Sequence, residues 1–364
     1  MENFSFKTIV ELNKKDAQEY ITKYFVPLSD GNHAYYCNGN YNILSKMVVK
    51  DTYFAKMGSE MNKFYFKEFT GIRRVVYKIN QPILIGDDEL NLCPKMKHTY
   101  KPYSEFSEEI KTKVNLMLNH LKHVWCSDNE ESYKYILKWF SNMIKGNKNN
   151  SAIYARGEQG IGKSYPVVFI QDHVIGKGLS LETGSEPLKS HFNSILAGKL
   201  FVSLEELENF GVSEWQVVCQ RLKRFITSNK IILESKGINS WEADSLLNFV
   251  LLSNHDAIKD AEGRRYFVLD MNESLRGNHK YFDTLSQCLN DEVGHAFYCF
   301  MMEIDTKGFD AQKMPMTEAK KDACVKRLDN IYVFIKTKYV LKNKDLTETV
   351  GAVSYTHLTL PTKA

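Results

Sequence analysis

The chain has 364 residues, 43% hydrophobic and 25% charged, with a formal net charge of +4. That length allows two or three domains with a full-sized core, and that usage excludes wholesale disorder. The small positive charge neither demands nor excludes a nucleic-acid partner, because a local basic stripe matters more than the total. The longest apolar runs, such as Leu246 to Leu252, are interrupted and far shorter than a bilayer span, so no membrane partner is expected. The N-terminus lacks a basic stretch followed by an apolar one, and the seven cysteines are scattered with no CxxC pair. Both features point to reduced thiols in a cytoplasmic setting, not to a disulfide frame or a zinc site.

Residues 1–100 are rich in Tyr, Phe, Lys and Asn. Short apolar stretches such as Arg74 to Ile79 read as strands, punctuated by Pro82, Gly86 and Pro94. The expectation is a mixed α+β region with no catalytic spacing. Residues 101–148 read as a helical lead-in, with helical periodicity over 106–124 and 130–145. In the second stretch Tyr133, Ile136, Leu137, Phe140 and Ile144 fall at steps of three and four. Gly146 and the polar run Asn147 to Asn150 end it. Over 149–275 short apolar runs alternate with helical segments: Ala152 to Ala155, Leu200 to Leu204, Ile231 to Leu233, Phe249 to Leu252 and Tyr266 to Leu269. Strands alternating with helices predict an α/β sheet. Residues 276–350 read as mostly helical. The string Ala352 to Thr362 resembles the conceptual translation of a transposase-type sequencing adapter, so 351–364 are expected to be an artefact and are set aside. On that expectation the natural C-terminus is missing.

The string Gly157-Glu158-Gln159-Gly160-Ile161-Gly162-Lys163-Ser164 fits G-x-x-x-x-G-K-[ST], between a strand and a helix. A triphosphate carries closely spaced negative oxygens. Successive backbone N–H groups surround them only if the loop turns tightly, which the glycines permit. The following helix aims its positive end at the phosphates. Lys163 is expected to reach the β/γ oxygens and Ser164 to ligate Mg²⁺, with ATP as the nucleotide.

About forty residues later, Leu200 to Leu204 ends in Glu205 and Glu206. We assign Glu205 to the metal shell and Glu206 to an attacking water. A solvated helix face carrying Glu205, Glu206 and Glu208 is the bland alternative. Lys230 to Asn239 reads as a strand running into a turn with Lys236 at its tip. The strand Asn248 to Ser253 ends in Asn254, whose amide could bond a γ-phosphate or instead cap a turn. Arg264 and Arg265 precede the strand Tyr266 to Leu269. They suit a finger reaching a neighbour's phosphate or, equally, a surface pair bonded to Glu262 or Asp270.

Taken in order, GEQGIGKS at 157–164, LFVSLEEL at 200–207, LKRFITSNKIILESKG at 222–237, LLSN at 251–254 and GRRYFVLD at 263–270 resemble a superfamily 3 helicase, a branch of the AAA+ ATPases. The likeness is to the helicase part of poxvirus-type and phage primase–helicases, and Trp139 and Asn91-Leu92-Cys93 are similar to those proteins too. The resemblance implies a P-loop NTPase core and a homo-hexamer translocating on single-stranded DNA by ATP hydrolysis in viral, phage or mobile-element replication, in the host cytoplasm or at a viral replication site. It implies Lys236 on a DNA-gripping hairpin, Asn254 as sensor and Arg264 or Arg265 as the finger, with a primase or polymerase as replication partners. Ser203 departs from the family's fully apolar strand. Residues 1–90 lack a primase's paired acidic strand motif, so priming is not carried over. A P-loop small-molecule kinase and an ATP- and DNA-binding replication scaffold without unwinding stay open as alternatives.

Overall fold

The computed structural model describes residues 3–184, 186–205, 212–254 and 265–325, with side chains throughout except at 212–216 and 322–325. Glu206 and Arg264 lie outside the described residues. The architecture is mixed α/β, and no described helix is long and apolar enough to cross a membrane.

The N-terminal region carries two small sheets. β1 (Phe25–Pro27), β2 (His33–Cys37) and β3 (Asn40–Leu44) pair antiparallel in that order. β4 (Arg74–Val76), β5 (Leu84–Ile85) and β6 (Glu89–Asn91) form the other, with β6 central. The aromatic-rich composition builds this region's own core, in which Phe54 and Tyr65 stack with ring centroids 4.4 Å apart. The buried Asn91 accepts from the Lys78 and Cys93 amides and donates to the Lys78 and Gln81 carbonyls. It therefore joins β6 to the chain leaving β4.

Both predicted lead-in helices form. Glu108–His120 starts at Ser107, which accepts from the Ile110 amide, and continues in wider turns through Trp125. Glu130–Ile144 is capped by Asn129, with Glu130 and Glu131 in its first turn. Its apolar stripe of Ile136, Trp139, Phe140 and Met143 is fully buried. Trp139 donates through Nε1 to Ser151, just before the central sheet.

That sheet has five parallel strands: β7 (Ala152–Arg156), β8 (Ser180–Thr183), β9 (Phe201–Leu204), then, after the hairpin described next, β12 (Asn248–Ser253) and β13 (Tyr266–Asp270). The spatial order is β13–β7–β12–β9–β8. Strands buried on both faces read as nearly continuous apolar runs, which is why four of the five were visible in the sequence. Val250 and Phe267 face the core shared with the lead-in and C-terminal helices, whereas Phe249, Leu251 and Val268 face the hairpin side. β10 (Lys230–Ser235) and β11 (Ile238–Asp244) form the predicted hairpin, closed by Lys236 and Gly237, the latter at φ 76°. Asn32 and Asn239 exchange side chain-to-backbone bonds of 2.8 and 3.0 Å and tie the N-terminal region to the hairpin. Helices His279–Ser286, Asp291–Glu303 and Glu318–Val325 complete the described chain.

Candidate functional site

The glycine turn leaves the C-terminal end of β7, and the Gly157 amide donates to the Ser253 carbonyl of β12 at 3.1 Å. A Cβ on Gly157 would lie 2.7 Å from Ile161 Cδ1 and 3.1 Å from Met271 Cβ, so a side chain there would have to displace Ile161. Ile161 is fully buried and fastens the turn to the core, leaving Glu158, Gln159 and Gly160 on its exposed rim. Gly160 and Gly162 adopt φ of 83° and 87°, a conformation that L side chains rarely take. The helix begins at Tyr165, directly after the glycine string. Ser164 is its N-cap residue and Pro166 sits in its first turn.

Lys163 curls over the turn. Its ammonium donates to the carbonyls of Gly157 and Glu158, the second at 2.9 Å, and to Asn254 Oδ1 at 2.5 Å. Asn254, read as a γ-phosphate ligand or a turn cap, gives its side-chain oxygen to the lysine. Glu205 follows β9 directly. The turn, Lys163, Ser164, Glu205, Ser253 and Asn254 line one cavity of about 580 Å³ at the C-terminal ends of the parallel strands. Ser203, which broke the apolar strand, is fully buried and accepts from Gln171 Nε2 at 2.9 Å. Gln171 belongs to the helix that follows the glycine turn, so this bond fixes Glu205's strand against that helix.

Two expected residues lie elsewhere. Lys236 is exposed at the hairpin tip. Arg265 precedes β13, and its carbonyl accepts from the Ala152 amide at the start of β7. A five-residue strand separates it from the glycine turn, roughly 16 Å, so it does not serve this chain's own cavity. Asp270, one of its alternative partners, is taken by Arg156, whose Nε and Nη2 reach Oδ1 and Oδ2 at 2.7 and 2.8 Å. The parallel register sets Asp270 beside Arg156.

Sequence reasoning missed His120. It is fully buried in the lead-in helix, with Nε2 2.9 Å from the Gly162 carbonyl and Nδ1 3.0 Å from the Tyr281 hydroxyl. Burial lowers its pKa to about 4. A lone histidine on a helix carries no signal of such a contact; only the packing of three distant segments reveals it.

A family model described as a family of unknown function (DUF5906) matches residues 155–265. A DNA primase-polymerase of Nitratiruptor phage NrS-1 is 26% identical over 232 residues. The match takes in 63% of this chain and 30% of that protein, so the chain spans under a third of the relative's length. An A-form apo structure of the NrS-1 C-terminal region superposes with a TM-score of 0.63 at 19% identity, covering 93% of this chain and 83% of that one. A second apo structure of the same region gives 0.61 at 20% identity, covering 92% and 81%. These likenesses show a shared fold. They also correct the expectation of a superfamily 3 helicase, because the curated relative is a primase-polymerase and the solved neighbours are part of the NrS-1 protein. A glycine turn with an acidic strand end describes how phosphate could be held; it does not specify what the whole protein does.

Proposed function

We propose that this chain binds ATP with Mg²⁺ at the glycine turn of a P-loop NTPase core, as the nucleotide-binding region of a primase–polymerase-type DNA replication protein. The observation that carries this reading is the convergence of Lys163, Ser164, Glu205 and Asn254 on one cavity beside two positive-φ glycines. The sheet order supports it too. The chain runs from β7 out to β8, returns through β9 and β12, then crosses to β13 on the other side of β7. Ligands of open α/β sheets settle at such a switch point, outside the carboxyl ends of the strands.

Phosphate oxygens would replace the carbonyl and amide oxygens now bound to the Lys163 ammonium, which the Asn254 side chain steers toward the cavity. Ser164 and Glu205 fit a magnesium ion, since both line the cavity and Ser164's hydroxyl makes no capping bond. Magnesium on a nucleotide keeps several waters and needs only one or two protein oxygens. When bound it would neutralise phosphate charge. On the DNA side, exposed Lys236 lies at the tip of a hairpin whose β10 is held by Asn193, next to the exposed Phe192. A cation for phosphate and an aromatic face for a base suit a single strand.

Titration with a fluorescent ATP analogue tests the nucleotide reading. Saturable, magnesium-dependent binding is expected, weakened at least roughly tenfold in Lys163→Ala. Equal binding by the variant, or none by the unmodified chain, overturns it. Lys236→Ala is expected to weaken single-stranded DNA binding and lower the salt slope by about one, with nucleotide binding unchanged. Unaltered DNA affinity removes Lys236 from the interface.

A further inference from the structure

His120 joins three segments that are far apart in sequence. It stands in the helix Glu108–His120, and its ring is bonded to Gly162 in the glycine turn and to Tyr281 in the helix His279–Ser286. The Gly162 carbonyl can only accept, so His120 Nε2 must carry the proton. Nδ1 is then a bare acceptor, and the Tyr281 hydroxyl donates to it. The imidazole is neutral, and the chain of donors runs one way: Tyr281 O–H to Nδ1, then Nε2–H to the Gly162 carbonyl. Its depressed basicity in this dry setting agrees with a single ring proton.

The packing leaves the ring no alternative seat. The imidazole stacks on Tyr281 with centroids 5.8 Å apart, and Phe282 stacks on Tyr165 at 5.5 Å. A Cβ on Gly162 would come within 2.6 Å of Phe282 and 2.8 Å of His120. The consequence for the turn follows from peptide geometry. The Gly162–Lys163 bond is trans, so its carbonyl and amide hydrogen point in opposite directions. Drawing the Gly162 carbonyl down to the buried ring turns the Lys163 N–H up toward the cavity that Gly162 and Lys163 line.

We propose that His120 is a positioning residue for phosphate. By fixing the Gly162 carbonyl it holds the Lys163 backbone amide aimed into the turn, and Tyr281 sets the tautomer that makes this work. This rests on the nucleotide reading above and deepens it. It makes the C-terminal helix part of the phosphate site, because a shift of Tyr281 releases the ring and with it one amide donor.

The probe is magnesium tripolyphosphate, which presents phosphate without base or sugar. His120→Leu removes the donor and is expected to weaken tripolyphosphate about tenfold, with DNA affinity unchanged. His120→Gln restores a donor near the Nε2 position and should return binding to within about threefold of the original. Tyr281→Phe should give an intermediate loss, with an increase in the Nδ1–H tautomer seen in the imidazole ¹⁵N spectrum. Unimpaired binding in His120→Leu overturns the proposal, as does a folded His120→Gln no better than the leucine variant. If the leucine variant does not fold, the spectrum of the unmodified protein decides: an Nδ1–H ring, or one indifferent to tripolyphosphate, refutes the assignment. Lys163→Ala separates this from the underlying reading. Loss in Lys163→Ala with full binding in His120→Leu sinks the positioning role alone, whereas no binding by the unmodified chain sinks both.

Discussion

At the scale of single residues, the site depends on polar groups placed where the sequence suggested only apolar packing. Ser203 is fully buried and satisfies Gln171. Ser203→Ala leaves that amide without its acceptor and is expected to cost about 1–2 kcal/mol, read as a lower urea midpoint with an unchanged slope. A neutral substitution would mean that Gln171 finds another acceptor. Histidine supplies the pH dependence. His120 and His33 are both held near a pKa of about 4 by burial, His33 with a further push from Lys46. Unfolded, each titrates at about 6.5. Between those values the unfolded chain binds protons that the folded chain refuses, so stability falls as pH drops from about 6.5 to 4. The expected loss is roughly 1.5 kcal/mol per histidine between pH 6.5 and 5. Urea midpoints at those two pH values check it, and a flat profile would show that the rings accept protons while folded.

At the scale of elements, the strands were legible wherever burial on both faces left an apolar run, unbroken in β7, β12 and β13 and interrupted only by Ser203 in β9. Edge strand β8 was not legible. Its Ser-Leu-Glu-Thr sequence is buried only in part and lacks that run. Of the N-terminal strands β4 lay within the run Arg74 to Ile79 read as a strand, whereas β1, β2 and β3 were lost among aromatics whose partners are each other. Register was equally invisible. It pairs Asp270 with Arg156, although the sequence offered Asp270 to the nearby arginines. Arg156 is almost wholly buried while the Asp270 side chain is about half exposed. Asp270→Asn therefore takes one paired carboxylate away from a buried guanidinium at the foot of the glycine turn. A loss of about 2 kcal/mol in urea unfolding is expected, less than for a fully buried pair. No change in stability would mean that solvent already screens the ion pair.

At the scale of the whole molecule, the glycine turn is packed by segments that precede and follow it in sequence, and a separate contact ties the N-terminal region to the hairpin. The lead-in helix supplies His120, the C-terminal helix supplies Tyr281 and Phe282, and the N-terminal region clasps the hairpin through Asn32 and Asn239. That the glycine string and Glu205 come together could be read from spacing, because the chemistry proposed for them requires particular residue types in a fixed order. These long-range contacts could not, since they depend on how distant segments pack. The role of the whole protein could not be read from that string either, and the likeness to a phage primase-polymerase redirected it. The most direct measurement is a crystal structure of the protein grown with Mn²⁺ and a non-hydrolysable ATP analogue. The account predicts an anomalous manganese peak bonded to Ser164 Oγ, with Glu205 in its ligand or water shell and the terminal phosphate on Lys163. A triphosphate bound away from the glycine turn, or a metal remote from Ser164 and Glu205, would contradict it.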